Sequence, residues 1–162
     1  MSVLSCGEIK LAELASLLGK FSIQLHLIED AEKIPGSWFG DPEAGIINNN
    51  LYVRKDTPVH SALHESCHYI CMSPNRRENL HTNAGGGYDE ENAVCYLSIL
   101  LSEHVNSFGQ ARMYTDMDEW GYTFRLGSSK AWFEEDAEDA FDWLVKHKII
   151  DKKKNILWNI RQ

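Results

Sequence analysis

Long apolar runs are missing from this sequence. No stretch approaches the roughly 18 apolar residues that a membrane-spanning helix needs, so no transmembrane segment is expected. The opening residues 1–10 have neither the basic start nor the apolar core of a signal peptide, and a cytoplasmic location is the expectation. Basic residues are scarce as well. Lys and Arg total 16 against 24 Asp and Glu, a net charge of −8, which argues against a general binder of nucleic acid or anionic membrane. Cysteine is limited to Cys6, Cys67, Cys71 and Cys95, and three of these fall inside predicted buried helices. Reduced thiols are therefore expected rather than a disulfide framework. Cys67 and Cys71 share a helix face, which leaves a metal role open, but small apolar core residues are the simpler reading. Linkers, repeats and low-complexity tracts are also absent, so residues 1–162 read as one domain.

What is present centres on residues 57–72, which contain His64-Glu65-Ser66-Cys67-His68. In a helix, His64 and His68 project from one face about one turn apart, so both imidazoles can enter one metal's coordination shell. Glu65, about 100° round the helix, can then reach a metal-activated water as general base. Asp56 or Thr57 is the candidate N-cap, and Pro58 falls where a first turn tolerates a missing N–H. Val59, Ala62, Leu63, Ser66, Cys67 and Ile70 predict a largely buried helix. Glu65 is the one carboxylate within it, and a lone buried carboxylate needs a reason.

Residues 8–19 carry a helical apolar pattern ending at Gly19, and residues 21–28 alternate as a strand. A turn-rich segment follows, with Trp38 and Phe39 expected to pack over a sheet edge, although such a loop can also line a cleft. Ile46–Ile47 and Leu51–Val53 read as short strands turning at three asparagines. Pro74 ends the histidine helix, and Gly85–Gly87 form a loop that can fold close to a site. Asp89, Glu90 and Glu91 open a second helix that closes near residue 105, as the helix dipole favours. Residues 116–127 read as an aromatic-rich ordered loop, and residues 129–148 as one long helix with an acidic start and basic end. The tail is expected to form a short strand or docking segment. The fold class is α+β: a short antiparallel or mixed sheet on the histidine helix, a glutamate-bearing helix beside it, and a C-terminal helix.

A catalytic zinc or iron site needs a third protein ligand. The position six after His68 is Pro74 and the position three after it is Cys71, which leaves a carboxylate from a later helix. Here the sequence resembles the zincin superfamily in its glutamate-ligand branch, which implies a zincin-like domain. The resemblance places the ligand at Glu90, with the small residue Ala93 three positions on. The run Glu-Glu-Asn-Ala-Val-Cys-Tyr-Leu-Ser-Ile-Leu-Leu is similar to the small ImmA/IrrE-type metallopeptidases, with Tyr96 as the aromatic and Leu100–Leu101 as the paired leucines. It covers residues 45–101 and departs from the pattern at Cys67 and Val94. Glu91 is the alternative ligand, and Asp89 stands behind it.

These readings imply a zinc metallopeptidase or other hydrolase acting on a peptide or protein, with Zn²⁺ on His64, His68 and Glu90 and with Glu65 as base. The oxyanion donor is open among His81, His104, Tyr114, Tyr122 and Arg125. The Gly85–Tyr88 loop is expected near the open metal position, with Trp120 and Tyr122 opposite, or else the strand at Leu51–Val53 as the docking edge. Two His and one carboxylate also suit Fe²⁺. The histidine run followed by Arg76–Arg77 resembles elongation factor P hydroxylase, which keeps an Fe(II) oxygenase open. A non-catalytic, metal-stabilised regulatory module is the third possibility.

Overall fold

The computed structural model describes residues 2–162 and is an α+β structure of seven α-helices and a small mixed sheet. Helix α1 (Leu11–Gly19) buries Leu14, Leu17 and Leu18 and leads into β1 (Gln24–Leu27). Strands β2 (Gly45–Ile47) and β3 (Asn50–Val53) form a hairpin, and β3 also pairs with β1 in parallel, giving the order β1-β3-β2. Ile46, Leu51 and Val53 face the core from this sheet and are fully buried.

Helix α2 (Val59–Cys71) lies beneath the sheet, and all 13 of its residues are buried. It packs on the sheet, on α4 (Tyr88–Ser102) and on α5 (Gln110–Trp120), with α4 its most extensive partner. Its N-terminus is not capped as the sequence predicts. The Thr57 hydroxyl instead accepts the Arg54 N–H at 2.8 Å, and the Val59 N–H donates to the carbonyl of Leu4 at 3.0 Å. A chain brought from the start of the molecule thus supplies what a local side chain was expected to supply.

Three stretches differ from the sequence reading. Pro74 ends α2 but also starts a short helix, α3 (Pro74–Glu78), because a proline suits a first helical turn. Residues 116–120, expected as the start of a loop, are instead the last part of α5 (Gln110–Trp120). The buried stripe of α5 is only Met113, Asp116 and Met117, too narrow to read as a periodic apolar face. The long helix over 129–148 is broken into α6 (Ser129–Glu135) and α7 (Glu138–Lys146). Asp136, at the break, has left helical geometry and is held by two nitrogens of Arg125 at 2.6 Å.

The loop before β2 is fixed at both ends. Arg54 binds Asp56 through two nitrogens and also reaches Asp41 and the carbonyl of Glu32. At the other end, the Ile46 N–H donates to Gly36 O at 3.2 Å. A side chain at Gly45 would strike the Pro35 carbonyl, so only glycine lets the loop lie this close to β2. Among the described residues, no helix is long and apolar enough to cross a membrane.

Candidate metal centre

His60, His64 and His68 stand one turn apart along the same face of α2, and the last two converge. Their Nε2 atoms are 3.2 Å apart. From the first turn of α4, Glu91 brings Oε1 to 3.0 Å from His64 Nε2 and Oε2 to 3.3 Å from His68 Nε2. Three donor atoms at about 2.0–2.1 Å around one tetrahedral ion would sit roughly 3.3 Å from one another. The observed separations, 3.0 to 3.3 Å, are of that order, with one carboxylate oxygen of Glu91 facing each imidazole. Two inward-facing imidazole nitrogens and a carboxylate form a donor set that fits zinc or ferrous iron.

Glu90 lies elsewhere. It is buried, and Arg76 grips both its oxygens at 2.8 and 2.7 Å while Arg161 adds a contact at 3.2 Å. The place assigned to Glu90 by resemblance is therefore taken by Glu91, the alternative. Consecutive helical residues point about 100° apart, so the α4 face that meets the histidines excludes its neighbour. Asp89 is exposed. Cys95, one turn after Glu91, places its thiol within 4.8 Å of His64 and Glu91 ligand atoms.

Glu65 is 6 % exposed and lines the cleft next to the histidines. Burial, first of all, raises its carboxyl pKa to about 7; His64 opposes this, and Glu43 and Glu91 add to it. Burial and the neighbouring His64 bring His68 down to about 4 and His60 down to about 3. Burial also tends to lower His64, but the Cys95 thiol and the Glu91 carboxylate hold it well above the ordinary imidazole range. Glu91 is lowered overall, because the hydrogen bond and charge of His64, with His68, outweigh its burial.

The cleft has two lobes. One, about 220 Å³, is lined by His64, Glu65, His68, Glu91, the 82–85 segment and the side chains of Trp38 and Phe39. The other, about 300 Å³, lies between Phe39 and Glu43 on one side and Trp120, Gly121 and Tyr122 on the other, with His64, Glu65 and Glu91 at its inner end. Trp38 and Phe39 are 58 % and 69 % exposed, so they rim the cleft rather than pack over a sheet edge. Among the residues considered as oxyanion donors, Tyr122 alone lines it. Its hydroxyl is 3.2 Å from His60 Nδ1 and its ring is 5.7 Å from that of His64. His81 contacts Thr82, His104 packs on Trp158, Tyr114 on Phe133, and Arg125 pairs with Asp136.

No family model, curated protein or solved structure matches the chain.

Two residues of this centre escape a sequence reading. His60 carries a signal, the same four-residue spacing one turn before His64. Glu43 carries none, because it reaches the cleft from a loop whose position depends on Arg54 and Gly45. Arg76 and Arg77 are engaged in the framework. Arg76 holds Glu90 and the Ala84 carbonyl, and Arg77 holds three backbone carbonyls.

Proposed function

We propose that the protein is a metal-dependent hydrolase, with zinc as the metal and a peptide or protein segment as the substrate. The observation that carries this reading is the convergence of His64, His68 and Glu91 at metal-ligand spacing, with Glu65 buried beside them. His64 and His68, through Nε2, and Glu91, through its carboxylate, would hold the ion. When bound, zinc supplies Lewis acidity and an acidified water.

The side chains then have separate tasks. Glu65, in a site shielded from solvent, accepts the proton of the attacking water and returns it to the leaving amine. Burial raises its pKa to about 7 before any ion is bound, and a bound cation would favour the carboxylate form that accepts the proton. With His60 protonated on Nδ1, its N–H donates to the Tyr122 oxygen, leaving the hydroxyl proton free for the cleft. Burial keeps that hydroxyl protonated, so Tyr122 is the donor available to the developing oxyanion. The aromatic residues on either side exclude water and flank an extended chain.

The decisive experiment is metal analysis of protein purified without added metal, followed by a peptide-library cleavage assay on wild type and Glu65→Gln. Zinc bound by both proteins, with cleavage by the wild type alone, is the expected result. Iron in place of zinc would redirect the assignment to an oxygenase, whose ligand set is the same. Stoichiometric metal with no turnover on any substrate would leave a metal-stabilised binding module.

A further inference from the structure

The lobe between Glu43 and Trp120 has a chemistry of its own. Phe39, Trp120 and Tyr122 wall it, Glu43 and Glu65 supply carboxylates, and neither lobe is lined by any Lys or Arg. Glu43 accepts one hydrogen bond, from Trp120 Nε1–H at 3.2 Å on Oε1. Its other oxygen meets no side-chain donor among the described residues. Glu65 is more than nine-tenths buried, faces the same lobe with His64, Glu43 and Glu91 as its charged neighbours, and accepts no hydrogen bond among the described residues. His64 is the cationic neighbour that these two carboxylates share, and a further cation entering the lobe would meet the partly buried Glu43 and the buried Glu65 as charge partners. Aromatic faces beside them add a cation–π attraction. Burial accordingly raises the pKa of Glu43 above the usual carboxylate range.

We propose that this lobe is a recognition subsite for an organic cation, an ammonium or guanidinium carried by the substrate peptide. Glu43 is its specificity-determining carboxylate, and Trp120 and Phe39 are its aromatic walls. The inference names the substrate class for the hydrolase reading above and rests on that reading for its place beside the reacting bond. The cation has two possible sources with one chemistry, a Lys or Arg side chain or a free peptide N-terminus.

Binding to the zinc-loaded protein, measured by calorimetry, tests it. The probes are N-acetylated Ala-Ala-Lys-Ala-Ala amide, the same peptide with norleucine for lysine, and the norleucine peptide with a free N-terminus. At least one cationic probe is expected to bind roughly tenfold more tightly than the acetylated norleucine peptide. The probe that does so identifies side chain or terminus as the source. Glu43→Gln, which keeps the shape and the Trp120 contact, should bring the ratio close to one. Glu138→Gln, on the exposed start of α7, should leave it unchanged. A ratio near one in the wild type, a ratio that survives Glu43→Gln, or an equal fall in both variants would overturn the subsite. Cleavage of the same probes is followed separately by mass spectrometry. Cation preference without cleavage would sink the hydrolase reading alone, and cleavage without preference would sink the subsite alone.

Discussion

Adjacent glutamates at the start of α4 have different surroundings, Glu91 facing the histidines and Glu90 two arginines, and substitution should separate them. Glu91→Gln removes the carboxylate that faces both histidines, so metal content after dialysis against a weak chelator should fall to near zero. Glu90→Gln leaves those donors in place and should retain the metal. It removes the partner of two arginines at a buried position, so its urea midpoint should fall by the equivalent of roughly 2 kcal/mol. Metal lost from Glu90→Gln but kept by Glu91→Gln would reverse the assignment. His60 offers a pH test. Its folded pKa, about 3, lies below the ordinary value of 6.5, so the unfolded chain takes up a proton that the folded chain refuses. The stability this represents is complete above about pH 6.5 and is lost as pH falls from there toward 3, at up to about 1.4 kcal/mol per pH unit. In metal-free protein, His60→Gln should flatten the fall of the urea midpoint between pH 6.5 and 4.5. His68 is shifted in the same direction and stays in the variant, so the slope should shrink rather than vanish. An unchanged slope would show that His60 is not buried in its neutral form.

Helix α2 shows how an element can depend on distant chain. A helix ends with four carbonyls that lack partners inside it. Here Arg77 Nε donates to Tyr69 O and its Nη2 to Met72 O, at 3.0 and 2.7 Å. Arg161 supplies the others, its backbone N–H to Ile70 O at 2.8 Å and its side chain to Cys71 O at 3.3 Å. Glu90 binds Arg161, so the end of the histidine helix, the tail and the start of α4 share one polar cluster. Arg161→Ala should lower the thermal midpoint by on the order of 5 °C, with Arg161→Lys intermediate because lysine lacks the planar fork. A thermal scan in which the alanine variant matches wild type would show that water caps these carbonyls equally well. The glycine loop belongs to the same cluster. A side chain at Gly86 would collide with the Glu90 carboxylate and crowd Arg76, so a bulky residue there should lower stability as well as any activity. At the other wall, Gly45→Ala should displace the 34–37 loop and with it Trp38, Phe39 and Glu43. Faster protease nicking between residues 34 and 43, with metal content unchanged, is the expected signature; resistance equal to wild type would show that the loop accommodates the methyl group.

Across the whole molecule, one hydrophobic cluster runs from Cys6 and α1 through the sheet and α2 to Leu144 and Ile150. The candidate metal centre sits where that core opens between α2, the start of α4 and two loops. The α+β class, the buried character of residues 59–71 and the convergence of His64 and His68 with Glu65 beside them follow from local periodicity. A spacing of four residues puts side chains on one helix face wherever the helix lies. The stop at Pro74 and the acidic opening of α4 are likewise local chemistry. The phase of α4 against α2 is not local. Both Glu90 and Glu91 suit a first helical turn, and only the packing of Arg76 and Arg161 on one of them turns the other toward the histidines. Helix α5 hides because its single narrow stripe is completed by contacts with α4 and α2 rather than by its own pattern. Glu43 and Tyr122 enter the cleft from loops 79 residues apart, a proximity that no periodicity encodes. The sequence by itself determined the helix that brings His64, Glu65 and His68 together. Tertiary packing decided which carboxylate faces it and what surrounds the cleft, because those depend on how elements distant in the chain are rotated and brought together.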